Sequence, residues 1–407
     1  MPHTNDLPEP AKRPTQAVIL AGGRGTRLRP LTDIRPKPMV EFHGKPFLEY
    51  LLEMLRDQGF ERVLLLLGYL PEVIQAHFGD GSRLGLKIDY VVSAIEDGTV
   101  RRMKLAESYV DPCFLLLYCD NYWPMHLNRM WARFAAADVP AMITVYGNTD
   151  GYTKDSVRVD KRGFVTVFDR TRTTPDLRGV EISYAILHKS VMSLLTDDPL
   201  ALFEEVVYPQ LVAKGQLAAF VTDHRYYSVG SLHRLPLTEV FLARRPAIIL
   251  DRDGVLNRRP PRAEYVRRWD EFHWLPGARE ALRVLTGANY RIIVVSNQAG
   301  IARGAMTEAD LRGIHQRMSE EARRAGGWID AVYHCPHDWN EGCACRKPEP
   351  GMLFQAQRQF NLDLPRTLVV GDDERDAQAA EAAGCPSALV SDGLSLLDIV
   401  RKMVNHA

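Results

Sequence analysis

The sequence predicts an α/β protein of two doubly wound, mainly parallel-sheet domains. Three observations carry this reading. Apolar runs of strand length alternate with segments of helical periodicity, the pattern of β-α-β units. That pattern stops and begins again around Arg244-Arg245-Pro246. At 407 residues the chain is also too long for one ordinary core, because domains cluster near about 100–150 residues.

Element by element, the apolar run at 16–21 ends at Gly22-Gly23 and reads as a strand running into a turn. Residues 46–55 carry helical periodicity and 63–67 form a second buried strand, completing a β-loop-α-β unit. Further strands are predicted at 114–118, 141–146, 156–159 and 165–168, the last two as a hairpin across Asp160-Lys161-Arg162-Gly163. After the reset, strands at 247–250, 292–296, 331–333 and 367–370 alternate with helical stretches at 277–286, 308–325 and 352–360. The expected organisation is a tail over 1–14, a first domain over 15–243 and a second over 244–407.

Composition narrows the function classes. Lys+Arg and Asp+Glu number 51 each, so no net charge favours nucleic acid or an anionic membrane. The longest aliphatic run, 63–67, is far short of the ~20 apolar residues that cross a bilayer. The Pro-rich start carries no apolar stretch, unlike a secretory signal, and the expected location is cytoplasmic.

Leu20-Ala21-Gly22-Gly23-Arg24-Gly25-Thr26-Arg27 follows a strand, so Gly22, Gly23 and Gly25 can turn backbone N–H groups toward an anion. It is neither a P-loop nor a dinucleotide fingerprint, since Leu28 stands where a third glycine would be. Taken alone, a strand ending in glycines is more often just a tight turn. The continuation Arg27-Leu28-Arg29-Pro30-Leu31-Thr32, then Pro36-Lys37-Pro38, adds two cations in stiff segments, Arg27 and Lys37, suited to a polyphosphate.

This run, with Lys45-Pro46 beyond it, resembles the signature of the sugar-1-phosphate nucleotidyltransferases. The resemblance implies a Rossmann-like domain whose small-molecule partners are a nucleoside triphosphate and a sugar phosphate. It assigns Arg27 to the triphosphate, Lys37 to alignment of the sugar phosphate, and Asp120 in Tyr118-Cys119-Asp120-Asn121 to Mg²⁺. Asp169-Arg170 stand where the family has Glu-Lys against the sugar and its phosphate. Three departures stand out. Ser228 replaces the aspartate of the last metal motif, with Asp223 as a candidate substitute. Val100-Arg101 follow Gly98-Thr99 where Ala-Gly is usual, and Tyr184 lacks its customary Asn and Gly.

In the second half, Asp251-Arg252-Asp253-Gly254 places two carboxylates just after a buried strand, where open α/β sheets build their sites. A calcium loop is excluded because Val255 offers no oxygen ligand. Ser296-Asn297, Arg346-Lys347-Pro348 and Gly371-Asp372-Asp373 lie on loops that a parallel sheet gathers at the same edge. This order resembles the haloacid dehalogenase (HAD) phosphatases. The resemblance implies a HAD-like Rossmannoid domain, with Asp251 as nucleophile, Asp253 as acid and base, and Ser296 and Lys347 on the phosphoryl oxygens. Mg²⁺ would be held by Asp251, Asp253 and Asp372, and Asp373 would be a solvated neighbour.

Cys335, His337, Cys343 and Cys345 supply one nitrogen and three sulfurs in a short loop, a donor set for structural Zn²⁺. Cys113, Cys119 and Cys385 sit in apolar runs and read as packing residues. Within the HAD phosphatases the zinc loop is shared by heptose bisphosphate and histidinol phosphate phosphatases, and the stretches 296–304 and 345–352 match the heptose side. Asn297, Arg303 and Arg346 are then expected at the substrate, the arginines on a second phosphate.

The combined expectation is a bifunctional enzyme that removes the 7-phosphate of D-glycero-D-manno-heptose 1,7-bisphosphate and couples the 1-phosphate to a nucleotide. Two alternatives stay open: a phosphatase whose first half only binds, and a histidinol phosphatase. The sequence leaves a homo-oligomer open.

Overall fold

The computed structural model describes residues 13–405, so the expected tail lies outside the described residues except for Arg13 and Pro14. The chain divides into two compact units between Leu242 and Ala243.

The first unit is built on a seven-stranded sheet. In spatial order its strands are Leu217–Thr222, Ala141–Tyr146, Val180–His188, Cys113–Tyr118, Gln16–Ala21, Arg62–Leu67 and Lys87–Val92. Gln16–Ala21 runs parallel to both neighbours, with Ala17 opposite Leu115 and Val63. It is buried along its whole length, as expected of a parallel strand covered on both faces. Val180–His188 is antiparallel to both of its partners. The sequence pattern misses this strand because Glu181 and Ser183 interrupt its apolar run. The hairpin forms from Val157–Val159 and Val165–Phe168. Helix Phe47–Asp57 presses Leu48, Leu51, Leu52 and Leu55 into the core.

The second unit has five strands, all parallel, in the order Ala331–Cys335, Arg291–Asn297, Ala247–Asp251, Leu368–Gly371 and Ser387–Leu389. The last is a short, partly exposed edge strand with too little apolar signal to be read from sequence. Helix Ala278–Gly287 buries Ala278, Ala281, Leu282 and Leu285 against the sheet core. Helix Glu308–Arg324 starts at a capping box in which Thr307 and Asp310 exchange side-chain and backbone hydrogen bonds. Because Ala247–Asp251 is the middle strand, the loops following it and its two neighbours converge at one edge. Among the described residues no helix is long and apolar enough to cross a membrane.

Candidate active sites and metal centre

In the second unit that edge holds a cavity of about 640 Å³ whose wall includes Asp251, Asp253, Ser296, Asn297, Arg346, Lys347, Asp372 and Asp376. Asp251 ends its strand and is 8% exposed. Gly254 must be glycine: its φ is +92°, and a Cβ there would lie 1.8 Å from Asp372 Oδ2. The chain reversal after Asp251 therefore passes directly over Asp372.

Lys347, 3% exposed, puts Nζ 2.8 Å from Asp251 Oδ1 and 2.5 Å from Asp376 Oδ1. Its backbone is bracketed by Asn297, whose Oδ1 accepts from Lys347 N at 3.1 Å while Nδ2 donates to Lys347 O at 3.0 Å. Asn297 is thus the residue that aims the lysine. Asp376, absent from the sequence expectations, sits in the first turn of helix Glu374–Ala383 and is buried. Its signal was the spacing Gly371-Asp372-x-x-x-Asp376, which returns a third carboxylate after one helical turn.

Oxygens of Asp251, Asp372 and Asp376 lie within 4.8 Å of one another, a donor set suited to a hard divalent cation. Burial raises the Asp251 carboxyl above its ordinary range against the pull of Lys347, and burial raises Asp372 against Arg259. Three carboxylates around one lysine leave a charge deficit that a cation would neutralise.

The side chain of Asp253 is not in that set, contrary to the sequence expectation. Its carboxylate takes Arg252 Nη2 at 2.8 Å, Asn257 Nδ2 at 2.9 Å and Gln298 Nε2 at 2.9 Å. Burial works to raise its pKa, but Arg252 outweighs it and holds the group below the ordinary range. Arg252 is itself fully buried, with Nη1 3.2 Å from His315 Nε2. Gln298 Nε2 also donates to Ser296 Oγ at 2.7 Å, so one amide orients both the acid and the serine. Arg252 and Gln298 are functional neighbours that the sequence reading passed over. Asp373 is not a free solvated group either, since it caps helix Glu374–Ala383 and binds two arginines.

The four predicted zinc ligands come together. Cys335 Sγ is 3.5 Å from both His337 Nδ1 and Cys343 Sγ, and Cys345 Sγ is 3.3 Å from His337 Nδ1 and 3.6 Å from Cys343 Sγ. Ligands about 2.0–2.3 Å from a tetrahedral Zn²⁺ lie about 3.3–3.8 Å apart, so the donors fit that ion. Arg346 leaves this loop with Nη1 on His337 O at 3.3 Å. Arg303 places Nε on Asp338 Oδ1 at 2.9 Å and its guanidinium 3.9 Å over the Trp339 ring; it is not part of the cavity wall.

In the first unit the glycine loop follows Gln16–Ala21, and Asp120 follows Cys113–Tyr118, the parallel neighbour. Gly25 adopts φ +64°, and a Cβ there would strike Lys37 Cβ at 2.9 Å, so this glycine lets the lysine pass. Lys37 Nζ pairs with Asp120 Oδ2 at 2.7 Å. Burial acts to raise Asp120, but Lys37 and then Arg27 hold it below the carboxylate range. A Cβ at Gly230 would lie 3.1 Å from Ser228 Oγ, 3.8 Å from Arg27 Nη2 and 4.0 Å from Asp120 Oδ2, so these three groups converge. Ser228 Oγ donates to Asp120 O at 3.1 Å and accepts from Gly230 N at 3.0 Å. Asp223 stands beside Gly147 instead, within 2.5 Å of where its Cβ would be.

Other predicted groups are committed elsewhere. Asp169 accepts backbone N–H bonds from Thr171, Arg172, Thr173 and Thr174, which locks its own turn. Arg170 pairs with Glu204 at 2.5 Å and Glu205 at 3.2 Å, and Glu204 also accepts from Tyr118 OH. Neither Asp169 nor Arg170 touches Asp120 or Lys37 directly. Tyr184 OH, buried, donates to Asn121 O and accepts from Trp123 N. Next to Val100-Arg101, Arg102 is 4% exposed; its Nη1 donates to Leu67 O at 2.7 Å and Ser93 Oγ at 2.6 Å, and its Nη2 to Ala94 O at 3.1 Å. These bonds tie together the loops at the strand ends.

Comparison with known proteins separates the two units. Residues 16–156 match the nucleotidyl transferase family model and residues 344–406 the HAD-hydrolase-like one. A D-glycero-beta-D-manno-heptose-1,7-bisphosphate 7-phosphatase of Bordetella bronchiseptica is 44% identical over 146 residues, covering 36% of this chain and 80% of that one. Its counterpart in Rhodopseudomonas palustris is 39% identical over 150 residues, covering 35% and 82%. A Bacillus anthracis structure assigned as a glucose-1-phosphate thymidylyltransferase covers 56% of this chain and 95% of its own, at 16% identity and a TM-score of 0.51, which is a likeness of fold.

Proposed function

The chain belongs, through its C-terminal unit, to the D-glycero-beta-D-manno-heptose-1,7-bisphosphate 7-phosphatases, and we propose that it is a bifunctional sugar-phosphate enzyme. Residues 244–407 hydrolyse the 7-phosphate of D-glycero-D-manno-heptose 1,7-bisphosphate. Residues 15–243 transfer a nucleotidyl group from a nucleoside triphosphate to the heptose 1-phosphate. The product of the first reaction is the substrate of the second.

What carries the reading is the gathering of Asp251, Asp253, Ser296, Lys347 and Asp372 around one cavity. Asp251 attacks the 7-phosphorus, forming an aspartyl-phosphate as the bond from phosphorus to the C7 oxygen breaks. Asp253 protonates the departing alkoxide. For this step Asp253, ionised in the free protein, takes up a proton from solvent as a dianionic phosphate arrives beside it, because a nearby negative charge raises a carboxyl pKa. Asp253 then takes a proton from water as that water attacks the aspartyl-phosphate and inorganic phosphate leaves. Lys347 and Ser296 bind the phosphoryl oxygens, and Gln298 and Asn297 keep them aimed. Mg²⁺, when bound by Asp251 and Asp372 with Asp376 beside them, supplies charge neutralisation at those oxygens. Zn²⁺ held by Cys335, His337, Cys343 and Cys345 fastens the loop that presents Arg346 and Lys347.

In the N-terminal unit the N–H groups of Gly22, Gly23 and Gly25 and the guanidinium of Arg27 receive the triphosphate. Lys37 brings a sugar-phosphate oxygen in line with the α-phosphorus, a new phosphoanhydride forms and pyrophosphate leaves. Asp120 is the carboxylate suited to Mg²⁺ here.

The test is incubation of the full chain with heptose 1,7-bisphosphate, Mg²⁺ and each nucleoside triphosphate in turn, following phosphate and pyrophosphate separately. Release of both supports the proposal, whereas no phosphate release defeats its main part. A second reading, in which the N-terminal unit binds without transferring, is favoured by the neutral Ser228 beside Asp120. Phosphate release without pyrophosphate under every triphosphate would select it.

A further inference from the structure

We propose that Arg375 and Arg259, anchored together by Asp373 and joined by Arg346, form the seat for the second, non-transferring phosphate of the substrate; this rests on the phosphatase reading above. Asp373 Oδ1 accepts from Arg375 Nε at 2.8 Å, and Oδ2 accepts from Arg375 Nη2 at 3.0 Å and from Arg259 Nη2 at 2.7 Å. Arg259 Nη1 reaches on to Asp372 Oδ2 at 3.0 Å. One carboxylate therefore holds two guanidinium groups from distant parts of the chain in a single arrangement. Asp373 is itself immobilised, because its side chain also caps the backbone N–H of Arg375 at 3.1 Å.

All four residues belong to the wall of the 640 Å³ cavity that contains Asp251. The charge of that wall is divided. Asp251, Asp253, Asp372 and Asp376 surround Lys347, where the transferring phosphoryl group and its cation belong. Three arginines, Arg259, Arg346 and Arg375, outnumber the two carboxylates paired with them, Asp373 on Arg259 and Arg375 and Asp372 on Arg259, so their part of the wall favours an anion. A phosphate monoester carries close to two negative charges at neutral pH. Guanidinium forks held in fixed orientation match phosphate oxygens, and their ordering cost has already been met in the free protein.

Arg303, which the sequence nominated for this phosphate, has Nε on Asp338 and its plane on Trp339, outside the cavity wall. Arg346, nominated with it, does line the wall, and the two further arginines come from the loop after the strand Ala247–Asp251 and from the start of helix Glu374–Ala383. Neither segment offered a phosphate signal in sequence.

The experiment measures kcat and KM of the full chain on heptose 1,7-bisphosphate and on heptose 7-phosphate, for wild type, Arg375→Ala, Arg375→Lys and Arg303→Ala. Loss of a charge-assisted contact to the second phosphate predicts that Arg375→Ala lowers the bisphosphate-to-monophosphate ratio of kcat/KM by at least about tenfold. The loss should appear chiefly in KM, and Arg375→Lys should recover part of it. Equal losses on both substrates in Arg375→Ala, or a ratio that falls in Arg303→Ala instead, would overturn the inference while leaving the phosphatase reading intact. Wild-type protein that hydrolyses neither substrate would overturn that reading and this inference with it. Matching zinc content and melting temperature among the variants identifies the effect as one on the site rather than on folding.

Discussion

Lys347 Nζ lies 2.8 Å from Asp251 Oδ1, and Lys347 follows Cys345 by only two residues. The reacting end of the cavity and the sulfur cluster are thus joined by one short, stiff segment. Cys343→Ser should release zinc, lower the melting temperature and reduce phosphatase kcat/KM at least about tenfold, because the lysine loses its fixed position. Metal content by elemental analysis, measured alongside kcat/KM, checks this; full activity in a zinc-free variant would refute it.

Asp251→Asn removes the nucleophile while keeping its shape. Phosphate release should fall by about a thousandfold or more, and pyrophosphate release from supplied heptose 1-phosphate should persist. Acid-quenched protein should lose the trapped phosphoryl group that wild type retains. A variant with undiminished phosphate release would remove Asp251 from the mechanism.

Lys37→Met breaks the 2.7 Å pair with Asp120 in the other unit. Pyrophosphate release should drop at least about a hundredfold while bisphosphate hydrolysis continues. The variant should also melt earlier, since Asp120 is left without its partner. Ser228→Asp, in contrast, sets a second carboxylate beside Asp120, and the Mg²⁺ concentration for half-maximal pyrophosphate release should fall. No change in that concentration would show that Ser228 does not limit the site.

Glu181 provides a pH signature. Burial, followed by the nearby charge of Glu204, pushes its pKa up to about 8 from an ordinary 4.5. Between those values the unfolded chain ionises at this position while the folded chain stays protonated. Folding stability is therefore complete below pH 4.5 and declines as pH rises toward 8, with a limiting slope of about 1.4 kcal/mol per unit. Glu181→Gln abolishes this contribution, so its melting temperature relative to wild type should climb between pH 5 and pH 8. A constant difference across that range would contradict the buried, protonated state.

Much of the candidate chemistry was legible because it is local. Asp251 and Asp253 are two residues apart after an apolar run, the four zinc donors lie within eleven residues, and Gly25 and Lys37 belong to one continuous motif. What escaped reading depends on approach across the fold. Val180–His188 was hidden because Glu181 and Ser183 break its apolar pattern. Asp169 and Arg170 occupy a suggestive position in the sequence, yet one is consumed by its own turn and the other by Glu204 and Glu205.

The sequence by itself determined that the chain folds as α/β units with parallel strands, and which loops follow those strands. Strand burial and glycine placement are written in runs of a few residues, each with its own physical cause. Only the tertiary structure decided which distant charges share a space: Asp376 with Lys347, and Arg259 with Asp372 and Asp373. Coulomb energy and hydrogen bonding depend on distances of a few ångströms, and those distances are set where separate strands and helices pack, beyond the reach of any local pattern.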